Sequence, residues 1–199
     1  MQPAPVVEFF AGLFRSAGVR VTDTGDAFTC HHLGDRIEFE DGVDQRHLDF
    51  VVDIDSSQVD RMLEDVRAGE LDERAKFRIM AELATPATQA ALARPMIRNR
   101  ALRGVLYRIG RAESLMHVRL VAPPGEEDVA HTIVYADGQW LVIPGLHGSP
   151  PHEYRLTVSD AVLYQRRMLA ARQANSLPPW IAFARWYGRF RKRVLAPKT

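Results

Sequence analysis

Between residues 19 and 54 the chain abandons helical spacing for four short alternating runs, 19–21, 27–33, 36–40 and 48–54, separated by Thr24-Gly25, Gly34-Asp35 and Asp41-Gly42. A period of two broken by glycine turns specifies a meander of β-strands and excludes a helical bundle. Ile37 and Phe39 alternate with Arg36, Glu38 and Glu40, and Phe50, Val52 and Ile54 alternate with Asp49 and Asp53. One face of the sheet is therefore expected in a core and the other in water. Ahead of the meander, Val6, Val7, Phe9, Phe10, Leu13 and Phe14 fall at helical spacing, with Gly18 as the expected stop.

After the meander, Asp55, Ser56 or Ser57 can cap a helix whose apolar stripe is Val59, Met62, Leu63 and Val66. Residues 77–83 fit either a helix or a strand. Thr85-Pro86 opens a helix over 87–93, Pro95 ends it, and another is expected over 97–109, stopped by Gly110. Strands are expected at 114–121, 129–135, 139–143 and 153–158, with an irregular Gly- and Pro-rich loop at 145–151. Asp160 can cap a helix through Val162, Leu163, Met168 and Leu169, and a last helix follows Pro178-Pro179. Segments 49–63 and 153–169 echo each other as strand, serine, capped helix and Met-Leu. The order of elements predicts an α+β fold, an antiparallel sheet with helices packed on one face. Three stretches are expected: 1–110, a further strand and helix extension at 111–178 continuing the same compact domain, and a terminal helix at 179–199.

With 26 basic and 25 acidic side chains the net charge is +1, so no global field draws the chain to nucleic acid. Only three of the basic residues are lysines, the mark of a GC-rich coding genome. The single cysteine, Cys30, fits a reducing cytoplasm, and the first residues lack the pattern of a secretory signal. From Asp23 to Glu73 sixteen acids stand against four arginines, which reads as a charged sheet face paired with helices.

Cys30-His31-His32 with Asp35 offers zinc-ligand chemistry, but on a strand the two histidines point to opposite faces, so no metal site is expected. His32 shares a side with Phe28 and Cys30. It reads either as a satisfied, partly buried histidine or as a polar anchor or general acid/base in a pocket. His131 and Tyr135 share a face with Ile133 on a later strand and invite the same two readings. No GxSxG, phosphate loop or GxGxxG occurs, and no cofactor is implied.

Residues 179–199 hold six basic side chains and no acid, so the rest of a chain of net +1 carries −5. Trp180, Phe183, Trp186 and Phe190 interleave with Arg189 and Arg193 near helical spacing. Such a helix can meet an anionic membrane or a partner protein, or dock on its own domain by its rings with the arginines outside.

Over residues 6 to 106 the order of elements resembles the sterol carrier protein family. The resemblance is carried by residues 28–30, by Arg-Ile-Glu-Phe-Glu-Asp-Gly at 36–42, and above all by 49–63 leading into Ala68-Gly69-Glu70-Leu71. It implies a small sterol-carrier-like α+β unit holding a lipid in an apolar tunnel, with 77–83 as its next strand and the closing helix from Thr85.

Independently of that resemblance, a one-layer sheet under helices lined by bulky rings can leave a cavity for an apolar guest. Phe10, Phe14, Phe28, Phe39, Phe50, Met62, Leu92 and Met96 are the expected lining, with His32 as polar anchor. The leading expectation is a carrier of a hydrophobic small molecule: a lipid, a sterol or a polyketide-like compound. An isomerase or cyclase moving protons through His32 and His131 or Tyr135 is the alternative, and a protein-interaction module the third.

Overall fold

A computed structural model describes residues 4–44, 48–67, 71–83, 115–136, 139–174 and 176–196. The chain divides into two compact units, 1–92 and 93–199, so residues 111–178 and the terminal helix belong together. The fold is α+β, with one four-stranded sheet in each unit.

In the first unit α1 (Ala4–Ala11) leads into β1 (Ser16–Val21), β2 (Ala27–His32) and β3 (Ile37–Asp41), an antiparallel meander turned at Gly25 and Gly34. β4 (Phe50–Ile54) then pairs with β1 in parallel, giving the order β3-β2-β1-β4. The expected antiparallel sheet is thus present as the three-stranded meander, with β4 added to it in parallel. Each sheet has one parallel pair, because the connection after the meander crosses the sheet before the next strand begins. Gly18, expected to stop the first helix, lies within β1. A Cβ there would meet Leu48 Cδ1 and Val43 Cγ1 at 2.8 Å, so the crossing segment can lie this close only over a glycine. The helix-side face carries Ala17, Val19 and Val21 beside Phe28 and Cys30 on one flank and Phe50, Val52 and Ile54 on the other.

Two helices follow, α2 (Ser56–Arg67) and α3 (Glu73–Leu83). Residues 77–83, the next strand under the sterol-carrier resemblance, are therefore helical. The Asp72 carboxylate caps α3 by accepting the Ala75 N–H at 2.7 Å. Ala75, Phe77 and Ile79 are buried along it.

The second unit repeats this order. β5 (Leu115–Leu120), β6 (Val129–Ala136) and β7 (Gln139–Pro144) form an antiparallel meander, and β8 (Glu153–Leu156) pairs in parallel with β5. α4 (Val158–Ala174) and α5 (Leu177–Val194) complete it. The helices expected over 87–93 and 97–109 lie outside the described residues.

The two units share more than strand order. The Gly42 N–H donates to the Ala27 carbonyl and the Gly145 N–H to the Ala130 carbonyl, both at 2.8 Å. The Thr29 hydroxyl donates to the Gly42 carbonyl at 2.7 Å, and the Thr132 hydroxyl to the Gly145 carbonyl at 2.9 Å. Reciprocal capping boxes open the first helix after each sheet, Asp55 with Gln58 and Thr157 with Asp160. The echo between 49–63 and 153–169 therefore extends across both units, which follow one plan.

Gly42 and Gly145 have φ of 84° and 81°, a conformation that an L side chain makes unfavourable by about 1–2 kcal/mol. Gly42→Ala and Gly145→Ala are expected to destabilise their units by similar amounts in that range. Gly188, within α5 and with open space around its Cα, is the counter-case. Gly188→Ala is expected to stabilise by about 0.5–1 kcal/mol. Urea midpoints of the three variants check all of this.

Candidate functional site

The rings expected to line a pocket separate into two groups. Phe14 and Phe50 are buried and meet edge to face at 6.1 Å, while Phe10 lies against Phe9 at 5.4 Å and Phe14 at 5.9 Å. These rings fill the space they were expected to enclose. Phe28 and Phe39 form a second pair at 6.0 Å, farther out on the helix-side face. Register places Phe39 beside Cys30, on the same face as the buried core, yet Phe39 is 64% exposed. The expectation that β3 buries this face is corrected, because the sheet extends beyond what the described helices cover. Met62 is half-buried on α2; Leu92 and Met96 lie outside the described residues.

Between this open end of the sheet and the start of α2 is a depression of about 430 Å³. Val21, Phe28 and Val59 supply its apolar lining, and Asp26, Asp41 and Asp60 its carboxylates. It is a groove open to solvent. The N-terminus of α2 is already occupied: Ser56 donates its hydroxyl and its N–H to Asp23, which lowers the Asp23 pKa. The Ser57 hydroxyl and the Gln58 N–H do the same for Asp55.

His32 faces α1 and both of its ring nitrogens are engaged. Nε2–H donates to the Val7 carbonyl at 3.2 Å, and Nδ1 accepts the Gly34 N–H at 3.3 Å, which requires the neutral Nε2–H tautomer. His31 points to the opposite face, where Ser16 Oγ lies 2.9 Å from its Nδ1 and Glu40 Oε2 lies 3.2 Å from its Nε2. This series resembles a Ser-His-acid relay but lacks the surroundings of one. The Glu40 side chain is 75% exposed. The Arg15 and Ser16 N–H groups both donate to Asp49 Oδ2, at 2.7 and 3.2 Å, so a carboxylate occupies the place where an oxyanion would need donors. Ser16, His31 and Glu40 instead cross-link three strands. Sequence reading weighs His31 only as a zinc ligand and does not join it to Ser16 and Glu40, because the three come from separate runs.

Burial pushes the Cys30 thiol up to about 11, which keeps it protonated and unsuited to bind a metal. Among the described residues no group of three or more His, Cys, Asp or Glu side chains stands together. In the second unit His131 is half-buried on β6, on the side of Ile133, and the side chain of Tyr135 lies outside the described residues. His117, buried on the other face, donates Nε2–H to the His147 carbonyl at 3.0 Å and helps hold the 145–151 loop across the sheet.

On α5 the aromatic stripe turns inward. Trp180 and Phe190 are buried, and Phe183, Trp186 and Tyr187 stack around Tyr164 and one another. Arg189 is exposed, while Arg193 pairs with Asp160 and lies 5.2 Å from the Phe190 ring centre. The rings expected at a membrane are thus engaged in the unit's own core. Among the described residues no helix is long and apolar enough to cross a membrane.

No family model, curated protein or solved structure matches the chain.

Proposed function

We propose that the protein is a binding module, and that the groove beside Phe28 and Phe39 receives a partner polypeptide. The observation that carries this is Phe39, 64% exposed on the face of the sheet that buries Val52 and Ile54. Among the described residues the helices leave this end of the sheet uncovered, and covering one such ring contributes about 1.5–3 kcal/mol to association. The histidines support binding over proton transfer, since His32 spends both nitrogens on the backbone. A second reading keeps a hydrophobic small molecule, a lipid or sterol, as the guest in the same groove. Its volume of about 430 Å³ falls within the range of small-molecule sites.

A photoreactive benzoylphenylalanine in place of Phe39, irradiated in the producing cell, distinguishes the two. A polypeptide adduct that disappears when Phe28→Ser is added is the expected result. A lipid-sized adduct alone supports the second reading. No adduct beyond that of the same probe replacing exposed Arg185 overturns both.

A further inference from the structure

The carboxylates around the groove differ from the ion-paired acids of the first unit. Asp53 pairs with Arg20, Glu38 with Arg36, Glu82 with Arg61 and Asp65 with Arg78. Asp26, Asp41 and Asp60 have no cationic partner among the described residues; the Asp26 carboxylate accepts the Thr24 hydroxyl at 2.7 Å, and the Asp26 N–H donates back to that hydroxyl oxygen at 3.3 Å. All three are exposed, and they surround an apolar lining of Val21, Phe28 and Val59.

We propose that the partner segment is basic and amphipathic, with apolar side chains that cover Phe28 and Phe39 and lysines or arginines that meet Asp26, Asp41 and Asp60. This rests on the reading that the groove docks a polypeptide. It adds the sign of the charge and the pattern of the sequence that docks. Three like charges around one patch repel an acidic segment and steer a basic one toward it. Because the carboxylates are in water, their attraction is screened over about 8 Å at physiological ionic strength. The apolar contact therefore holds the complex, and the charges select it.

Three labelled peptides of equal length test this against the full chain: an amphipathic Leu/Lys helix, its Leu/Glu counterpart, and a Ser/Lys peptide of the same charge as the first. The Leu/Lys peptide is expected to bind about tenfold or more tighter than either of the others, a difference of about 1.4 kcal/mol. Its affinity is expected to fall severalfold in Asp41→Asn/Asp60→Asn and in raised salt, and to be lost in Phe39→Ser. These positions are exposed, so circular dichroism of the variants is expected to match that of the parent. Equal, Phe39-dependent binding of the Leu/Glu peptide overturns the charge assignment and leaves the docking surface standing. Leu/Lys binding that ignores both sets of substitutions overturns the site. Absence of Phe39-dependent binding by any peptide overturns the docking reading as well.

Discussion

Phe190→Ala is expected to destabilise the second unit by about 3–5 kcal/mol, a large share of the roughly 5–15 kcal/mol that holds a domain folded. Phe190 is 5% exposed and lies in one cluster with Met116, Tyr154 and Val194. Its ring stacks on Trp186 at 4.6 Å and on Tyr164 at 6.0 Å. The site cannot easily collapse, because α5 is fixed at both ends. Pro178 sits in its first turn, and beyond its last turn Leu195 bridges to Tyr154 while the Ala196 N–H donates to the Glu153 carbonyl at 2.8 Å. All three tryptophans, Trp140, Trp180 and Trp186, fall in residues 93–199, so tryptophan emission during urea unfolding reports on this unit. Phe190→Leu is expected to lose less than half as much, and Arg189→Ala, one residue away and exposed, within about 0.5 kcal/mol. Equal effects at 189 and 190 would show that the stripe does not face the core.

The strands were legible because a period of two and glycine turns are local signals. Their neighbours were not. Alternation in β4 shows which side chains go inward but not that β1 is its parallel partner; that depends on the chain between β3 and β4, whose Val43 and Leu48 lie against Gly18. Gly18 misled for a related reason. A glycine after a helical pattern looks like a stop, whereas here it lets Leu48 and Val43 lie against the central strand.

Exposure was the least legible property of the site. Phe39 and Phe50 look alike in sequence, each on an alternating strand with acids beside it. They differ in what lies across the sheet: Phe50 meets Phe14, and Phe39 meets Phe28 and then water. On α5 the stripe itself was readable, and so was docking on its own domain as one of its outcomes. Choosing between outcomes required Tyr164, whose ring on α4 receives three aromatics of α5.

In the first unit the largest loss is expected from Ile79→Ala, about 2–5 kcal/mol, because Ile79 is 0% exposed. It also bears on why residues 77–83 read as either helix or strand. Ala75, Phe77 and Ile79 are all buried, which is a strand's period lying on a helix. The Asp72 cap at its start resolves the ambiguity, and so do the bonds that tie α3 to α2. Arg78 Nε donates to both Asp65 oxygens at 3.1 Å, and Arg61 Nε donates to Glu82 Oε1 at 2.6 Å, a bond that lowers the Glu82 pKa. In these ties the arginines reach solvent while Asp65 is buried, and none depends on the Ile79 side chain, so an emptied Ile79 site leaves α3 attached but underpacked. Residues 1–92 contain neither tryptophan nor tyrosine, so hydrogen exchange is the suitable measurement. Amides of 73–83 are expected to exchange about thirtyfold faster or more, the lower end of that free-energy range. Ile79→Val, which removes one methylene, is expected to lose about 0.5–1.5 kcal/mol. If Ile79→Ala speeds exchange in 73–83 no more than Ile79→Val does, the alternating burial does not reflect packing, and α3 is held by its ion pairs alone.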